Sequence, residues 1–121
     1  MENRLHYIMN ASPEKRYKNF ITTVADKCYV WVLRTSSGYA THVIDNVIHL
    51  LVWPLREYAE YYANRGEEAE GIEIHDFIGR CESMSKDENV RFMVFPTKID
   101  AYLSPIDEVE KDIKYQLSLI E

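Results

Sequence analysis

The apolar positions change period along the chain, and each change marks an element. Tyr17, Phe20, Ile21, Val24 and Cys28 recur at the three- and four-residue spacing of a helix that packs on one side. Ahead of them, Ser12-Pro13-Glu14 supplies a capping hydroxyl, a proline with the φ of a first helical position, and an acid facing the helix dipole. A weaker stripe, Leu5, Ile8 and Met9, predicts a short helix before this one. Over residues 28–33 the apolar run is unbroken and rich in β-branched and aromatic side chains, as expected of a central strand buried on both faces. Thr35-Ser36-Ser37-Gly38 supplies turn chemistry, and residues 39–44 predict the returning strand of a hairpin. Asp45-Asn46, both tolerant of positive φ, permits a second tight turn into a strand over residues 47–53, which completes a three-strand meander.

Pro54 lacks the amide donor that a ladder needs and has the φ of a first helical turn. The strand is therefore expected to pass directly into a helix with Leu55, Tyr58, Ala59 and Tyr62 as its buried stripe. Residues 64–71 read as a polar connection, and Ile74, Phe77, Ile78, Cys81 and Met84 form the next helical face. Residues 90–95 are strand-like, Pro96-Thr97 predicts a turn, and Ile99, Ala101 and Leu103 alternate with Lys98, Asp100 and Tyr102 in the second arm of a hairpin. Ser104-Pro105-Ile106-Asp107 repeats the helix-start chemistry, with Asp107 placed to complete a capping box. Ile106, Val109, Ile113, Leu117 and Ile120 then give the final helix its stripe. Tight turns make neighbouring strands antiparallel, and helices that come in groups exclude a doubly wound parallel sheet. The expected class is α+β: an antiparallel sheet of about five strands, a meander plus a C-terminal hairpin, with helices mainly on one face, in the order α-βββ-αα-ββ-α.

With 121 residues, 46% hydrophobic and 12% aromatic, the chain can build one core, and a single domain over residues 1–121 is expected. Fourteen Lys and Arg against twenty Asp and Glu leave a net charge of -6, which repels phosphate backbones and anionic lipids. Neither nucleic acid nor membrane is the expected partner. No apolar run reaches the length of a membrane helix, and the first residues lack a signal-peptide pattern. Cys28 and Cys81 form no CxxC motif, so free, buried thiols in a cytoplasmic protein are expected.

The segments Ser12-Pro13-Glu14-Lys15-Arg16-Tyr17, Tyr29-Val30-Trp31-Val32-Leu33, Trp53-Pro54 with Arg56-Glu57-Tyr58-Ala59, and Val94-Phe95-Pro96-Thr97 stand in that order. Together they resemble a small bacterial family catalogued as domain of unknown function 2750, over roughly residues 9–118. The most specific piece is Trp53-Pro54-Leu55-Arg56-Glu57-Tyr58-Ala59-Glu60, where the family pattern more often has a small hydroxyl residue in place of Leu55. The resemblance implies a single-domain, cytosolic α+β protein and brings no activity, cofactor or catalytic residue with it.

Four groups of residues invite a chemical reading. A two-residue turn at Asp45-Asn46 sets His42 opposite His49, a pair of imidazoles that lacks the third ligand a zinc site needs. The ordinary reading is two polar residues on a solvated sheet face. His75, Asp76 and Cys81 have the residue types of a thiol nucleophile and its base, yet Cys81 lies on the apolar stripe, which predicts an inert core thiol. Trp53, Tyr58 and Tyr62 lead from a Trp-Pro corner into a helix, where they make core or line a pocket; Tyr61 is off the stripe and suits an exposed contact. Residues 1–27 are basic on balance, whereas Glu67, Glu68, Glu70, Glu73 and Asp76 fall in one segment without Lys or Arg. Such a run is ordinarily a solvated loop, and its sharper reading is an acidic surface that docks a basic partner.

The chain has no Gly-rich phosphate loop, no metal-ligand spacing and no nucleophile in a motif, so no cofactor is implied. The expected function is a non-enzymatic binding or accessory module, in one form an immunity-type protein whose Glu67, Glu68 and Glu70 face a basic effector. The alternative is a small-ligand binder or enzyme with a pocket around Trp53, Arg56, Tyr58 and Tyr62, in which Arg56 offers a fork for a carboxylate or phosphate. A third is a homodimer joined through an open sheet edge.

Overall fold

In the computed structural model, which describes residues 7–120, the first long helix opens as its sequence predicts. The Ser12 hydroxyl accepts the Lys15 N–H at 3.2 Å, and Pro13 is the first residue of α1 (Pro13–Lys27). Residues 7 to 9 are also helical, in keeping with the weak stripe at Ile8 and Met9, while Leu5 lies outside the described residues. The helix ends at Cys28, whose φ of 68° is left-handed and whose N–H bonds to the Val24 carbonyl at 2.8 Å. That turn takes Cys28 off the helical stripe and leaves it exposed, which corrects the expectation of a buried thiol.

Two sheets replace the single one expected. β1 (Tyr29–Thr35) lies between β2 (Gly38–Tyr39) and β5 (Glu68–Glu73), while β3 (Thr41–Ile44), β4 (Val47–Val52), β6 (Val90–Val94) and β7 (Tyr102–Pro105) form a four-stranded sheet in that order. The predicted returning strand is divided at Ala40, whose N–H bonds to Leu33 at 2.8 Å and whose carbonyl faces the Leu51 N–H at 3.4 Å. One arm therefore pairs with β1 and the other with β4. The sheets also join where Trp31 and Trp53 exchange backbone hydrogen bonds of 2.9 and 2.8 Å. At the turn between β3 and β4, Asp45 and Asn46 have φ of 52° and 66°, and the predicted register of His42 opposite His49 follows.

Three further elements differ from the sequence reading. Residues 68–73 are not a connection but β5, antiparallel to β1 with Trp31 opposite Gly71. A side chain at Gly71 would meet the Trp31 ring at 3.0 Å, so the glycine is what lets that indole lie on the strand. β4 and β6 pair in parallel, because the chain between them returns to the same end of the sheet through a helix, a strand and a second helix. β7 starts at Tyr102 rather than near Ile99, and residues 96–101 make a wider loop before it.

The helices that follow are α2 (Arg56–Tyr62), α3 (Ile74–Met84) and α4 (Ile106–Ile120). Pro54 ends the β4 strand, but α2 begins two residues later with Leu55 as an N-cap that makes no side-chain bond. In α3 the Glu73 carboxylate caps the helix by accepting from the His75 and Asp76 amides. Pro105 stays in β7, and the buried Ser104 hydroxyl donates to Glu108 at 2.7 Å instead of capping α4. Ile106, Val109, Ile113 and Leu117 are buried as predicted, whereas Ile120, one turn further, is exposed. α1 packs along α4, and α3 meets the four-stranded sheet through Phe77 on Phe92 at 5.4 Å. α2 lies against β1 and β5, with Arg56 over the Trp31 ring.

One buried cation ties these layers together. Arg16 is 1% exposed, and its guanidinium donates to the Phe95 carbonyl at 3.0 Å, the Ala11 carbonyl at 2.6 Å, and the carbonyl and carboxylate of Asp100 at 3.1 and 2.5 Å. A planar fork reaches four acceptors that an ammonium cannot. Arg16→Lys is therefore expected to lower the unfolding free energy by about 3 kcal/mol, since it strands buried acceptors while keeping the charge. Urea denaturation of the variant measures it, and a loss below about 0.5 kcal/mol, the range of ordinary surface substitutions, would show that the fork is dispensable.

Candidate functional site

The aromatic corner is spent on the core. Trp53 is fully buried and its indole N–H donates to the Pro96 carbonyl at 3.0 Å. Tyr58 is buried with its ring 4.7 Å from that of Phe95, and Tyr62 is half-buried, 5.3 Å from the Trp53 ring. Arg56 is exposed and stacks over Trp31 at 5.0 Å, a cation–π contact that occupies its fork's face. The four residues grouped by sequence therefore do not line one pocket. Tyr61 is exposed, as expected. Tyr62 instead borders a cavity of about 430 Å³ with Tyr39, His42 and Glu67, and another of about 270 Å³ with His42, Met93 and Leu103. Burial and the nearby Glu67 charge push the Tyr62 phenol above its ordinary value.

His42 and His49 are paired in register but not in environment. His42 is exposed, with Nε2 3.4 Å from the Tyr62 hydroxyl, whereas His49 is 3% exposed with Nδ1 3.1 Å from the Val47 carbonyl. The solvated face expected for both holds only for His42; His49 is buried. Among the described residues, no group of three or more His, Cys, Asp or Glu is placed to hold a metal ion.

Part of the acidic segment is paired where it stands. Glu70 accepts from Arg34 at 2.6 Å and from the Tyr39 hydroxyl at 2.7 Å, which holds its carboxyl below the usual range. Arg80 reaches the same Tyr39 hydroxyl at 3.1 Å and Asp76 at 3.2 Å. Glu67 caps the Asn64 amide at 2.7 Å, Glu73 caps α3, and the exposed Glu68 stands opposite Arg34 across β1 and β5.

A different acidic site, absent from the sequence reading, lies between α1, β7 and α4. Glu14, Tyr17, Lys18, Tyr102, Asp112 and Tyr115 border a cavity of about 630 Å³ there, larger than either cavity beside Tyr62. The Tyr17 and Tyr102 rings lie 4.2 Å apart. Their hydroxyls donate to carboxylates: Tyr17 to Asp112 at 2.5 Å, and Tyr102 to Glu108 at 3.3 Å. Burial, then the bond to Asp112 and its charge, drive the Tyr17 phenol far above its ordinary value. Tyr102 is raised by burial and by Glu108. Among the described residues no Lys, Arg or His forms an ion pair with Glu14, Glu108 or Asp112. Hydroxyls thus fix Asp112 and Glu108 without bringing a positive charge to them. The sequence signal was available in α4, where Glu108, Asp112 and Tyr115 follow one another at helical spacing, but Tyr17 and Tyr102 reach them only through packing.

The two thiols differ sharply. Cys81 is fully buried and its thiol is pushed up to about 12 by burial and by Glu110, so it stays protonated at neutral pH and is no nucleophile. Thiol labelling of the native protein at pH 8 is expected to modify Cys28 promptly and Cys81 only after unfolding. Two fast thiols, or a native Cys28→Ser variant that still labels, would contradict the burial of Cys81.

No described helix is long and apolar enough to cross a membrane. A family model with the description "Protein of unknown function (DUF2750)" matches residues 17–112. No curated protein matches the chain.

Proposed function

Since the chain belongs to the DUF2750 family of proteins of unknown function, we propose from its own geometry a non-enzymatic binding module that docks a basic protein partner at the cleft between α1 and α4. The observation that supports this is the contrast between two sets of carboxylates. Glu70 and Asp76 have Arg partners, whereas Asp112, which lines the cleft, and Glu108, which accepts from Ser104 and Tyr102, are held by neutral hydroxyls and have no basic partner among the described residues. A fixed, uncompensated negative potential attracts a cationic surface and sets its register. An immunity-type role, neutralising a basic effector, is one form of this reading. Of the acidic residues Glu67, Glu68 and Glu70 that the sequence offered for this role, Glu70 is paired with Arg34, which favours the α4 carboxylates as the docking charge. The exposed, unpaired Cys28 supports a reducing compartment such as the cytoplasm.

Calorimetric titration with an oligoarginine peptide tests the proposal. Binding is expected at low salt, falling with ionic strength, and the double variant Glu108→Gln with Asp112→Asn is expected to weaken it by about 0.5 to 2 kcal/mol. Both substitutions keep an oxygen for the hydroxyl donors, so the fold is retained. Absence of binding, or equal binding of an oligoglutamate peptide, would overturn the proposal.

A further inference from the structure

Among the described residues, each sheet edge but one is guarded. β2 is only two residues long, β5 carries Glu68, Glu70 and Glu73 and meets α2 and α3, and β7 ends on Pro105 and meets α1 and α4. Extreme shortness, charged side chains, proline and helical cover all keep an edge from pairing with another chain. β3 has none of them. Thr41, His42, Val43 and Ile44 are all exposed, Val43 to 66%, and no Asp, Glu, Lys or Arg lies among them. Ile48, opposite Val43 across the hairpin, is itself 43% exposed.

The register fixes which backbone groups this edge offers. The Ile48 N–H bonds to the Asn89 carbonyl at 2.8 Å, so residue 48 turns its backbone toward β6, while the Leu51 N–H faces the Ala40 carbonyl on the side of β3. Val43 opposite Ile48 and Thr41 opposite Leu50 are therefore the non-hydrogen-bonded pairs of the hairpin, and their N–H and C=O groups point away from β4. Among the described residues nothing bonds to them. Two residues apart along an extended strand, these donors and acceptors match the backbone of another extended strand.

We infer that β3 pairs antiparallel with β3 of a second copy of this chain, which joins two four-stranded sheets into one about a twofold axis. The edge complements itself. Setting Thr41 against Val43 of the second copy, and Val43 against its Thr41, bonds every outward group of β3 and puts the axis between the two His42 residues. Tyr39, the preceding residue on that side of the chain, belongs to the other sheet beyond the break at Ala40. With no acid or base on the strand, a chain of net charge -6 meets its copy there without like charges opposite each other. The isologous contact also closes the open edge of both copies at once. It uses a different surface from the α1–α4 cleft and does not depend on the docking reading.

Sedimentation equilibrium of the full chain over a range of protein concentrations reads the association. A monomer–dimer equilibrium is expected, strengthened by salt that screens the repulsion between two acidic chains, whereas docking of a cationic partner weakens with salt. Val43→Lys puts an ammonium on the edge and is expected to raise the dimer dissociation constant at least about tenfold. The thermal midpoint of the monomer should not change, because that side chain is exposed. In a Cys28→Ser background, His42→Cys is expected to form a disulfide-linked dimer on mild oxidation, since facing residues of a non-hydrogen-bonded pair lie within a disulfide's span. Tyr115→Cys, exposed on α4, is expected not to cross-link. A monomer at every concentration up to the millimolar range overturns the inference and leaves the edge to a strand of another protein. A dimer that is indifferent to Val43→Lys and does not cross-link through His42→Cys places the contact elsewhere and overturns it as well. Either result leaves the docking reading to its own titration with oligoarginine.

Discussion

Arg16 is buried under α1 with its guanidinium spread over the carbonyls of Ala11, Phe95 and Asp100 and the carboxylate of Asp100. A cation taken out of water is costly unless its donors find acceptors, and here four hydrogen bonds reach the turn before α1 and, far along the chain, Phe95 and Asp100. Phe95 shows the other half of the constraint. Its φ of 49° is left-handed, a conformation costly for a bulky side chain, and it persists because its surroundings over-determine it. The Phe95 carbonyl accepts from Arg16, its N–H bonds to Val52 at 2.8 Å, and its ring packs on Tyr58. Next to it the Pro96 carbonyl takes the Trp53 indole. The stretches around Arg16, Trp53, Tyr58 and Phe95 are thus one junction, where α1, the end of β4, α2 and the loop after β6 are fastened to each other.

That junction accounts for the fate of the aromatic corner. Trp53 and Tyr58 pack into this junction, Trp53 through its indole bond to Pro96 and Tyr58 against the Phe95 ring, while Arg56 lies over Trp31. Residues that look like a binding set in sequence are shared between two packing tasks. The cleft of α1, β7 and α4 is the place where polar side chains are fixed without being neutralised, since Tyr17, Tyr102 and Ser104 bring hydroxyls rather than charges to Asp112 and Glu108.

Side-chain pairing also decides which carboxylates remain as surface charge. Glu70 looks free in sequence because no base lies near it, yet β1 delivers Arg34 across the sheet. Glu108 and Asp112 look like ordinary helix-surface acids with Lys111 and Lys114 close by, yet Lys114 turns to Glu110 and Glu82. The local charge pattern and the pairing in the folded chain therefore differ: Glu70 on β5 is paired, while Glu108 and Asp112 on α4 have no basic partner among the described residues.

What the sequence determined by itself were the features set within a few residues of chain. The Ser12 cap and Pro13 start of α1, the Asp45-Asn46 turn with His42 opposite His49, and the buried stripe of α4 all follow from capping, backbone φ and periodicity. The α+β class followed from the order of those elements. The tertiary structure alone decided whatever needs a distant partner. β5 is a strand because β1 presents a ladder to it and Gly71 makes room for Trp31, not because Glu-Ala-Glu-Gly has any preference to extend. The break at Ala40, the parallel pairing of β4 with β6, the burial of Arg16 and the tyrosine cleft likewise arise between segments that the chain brings together only on folding. Periodicity records which side of an element is buried; it holds no record of which element covers it.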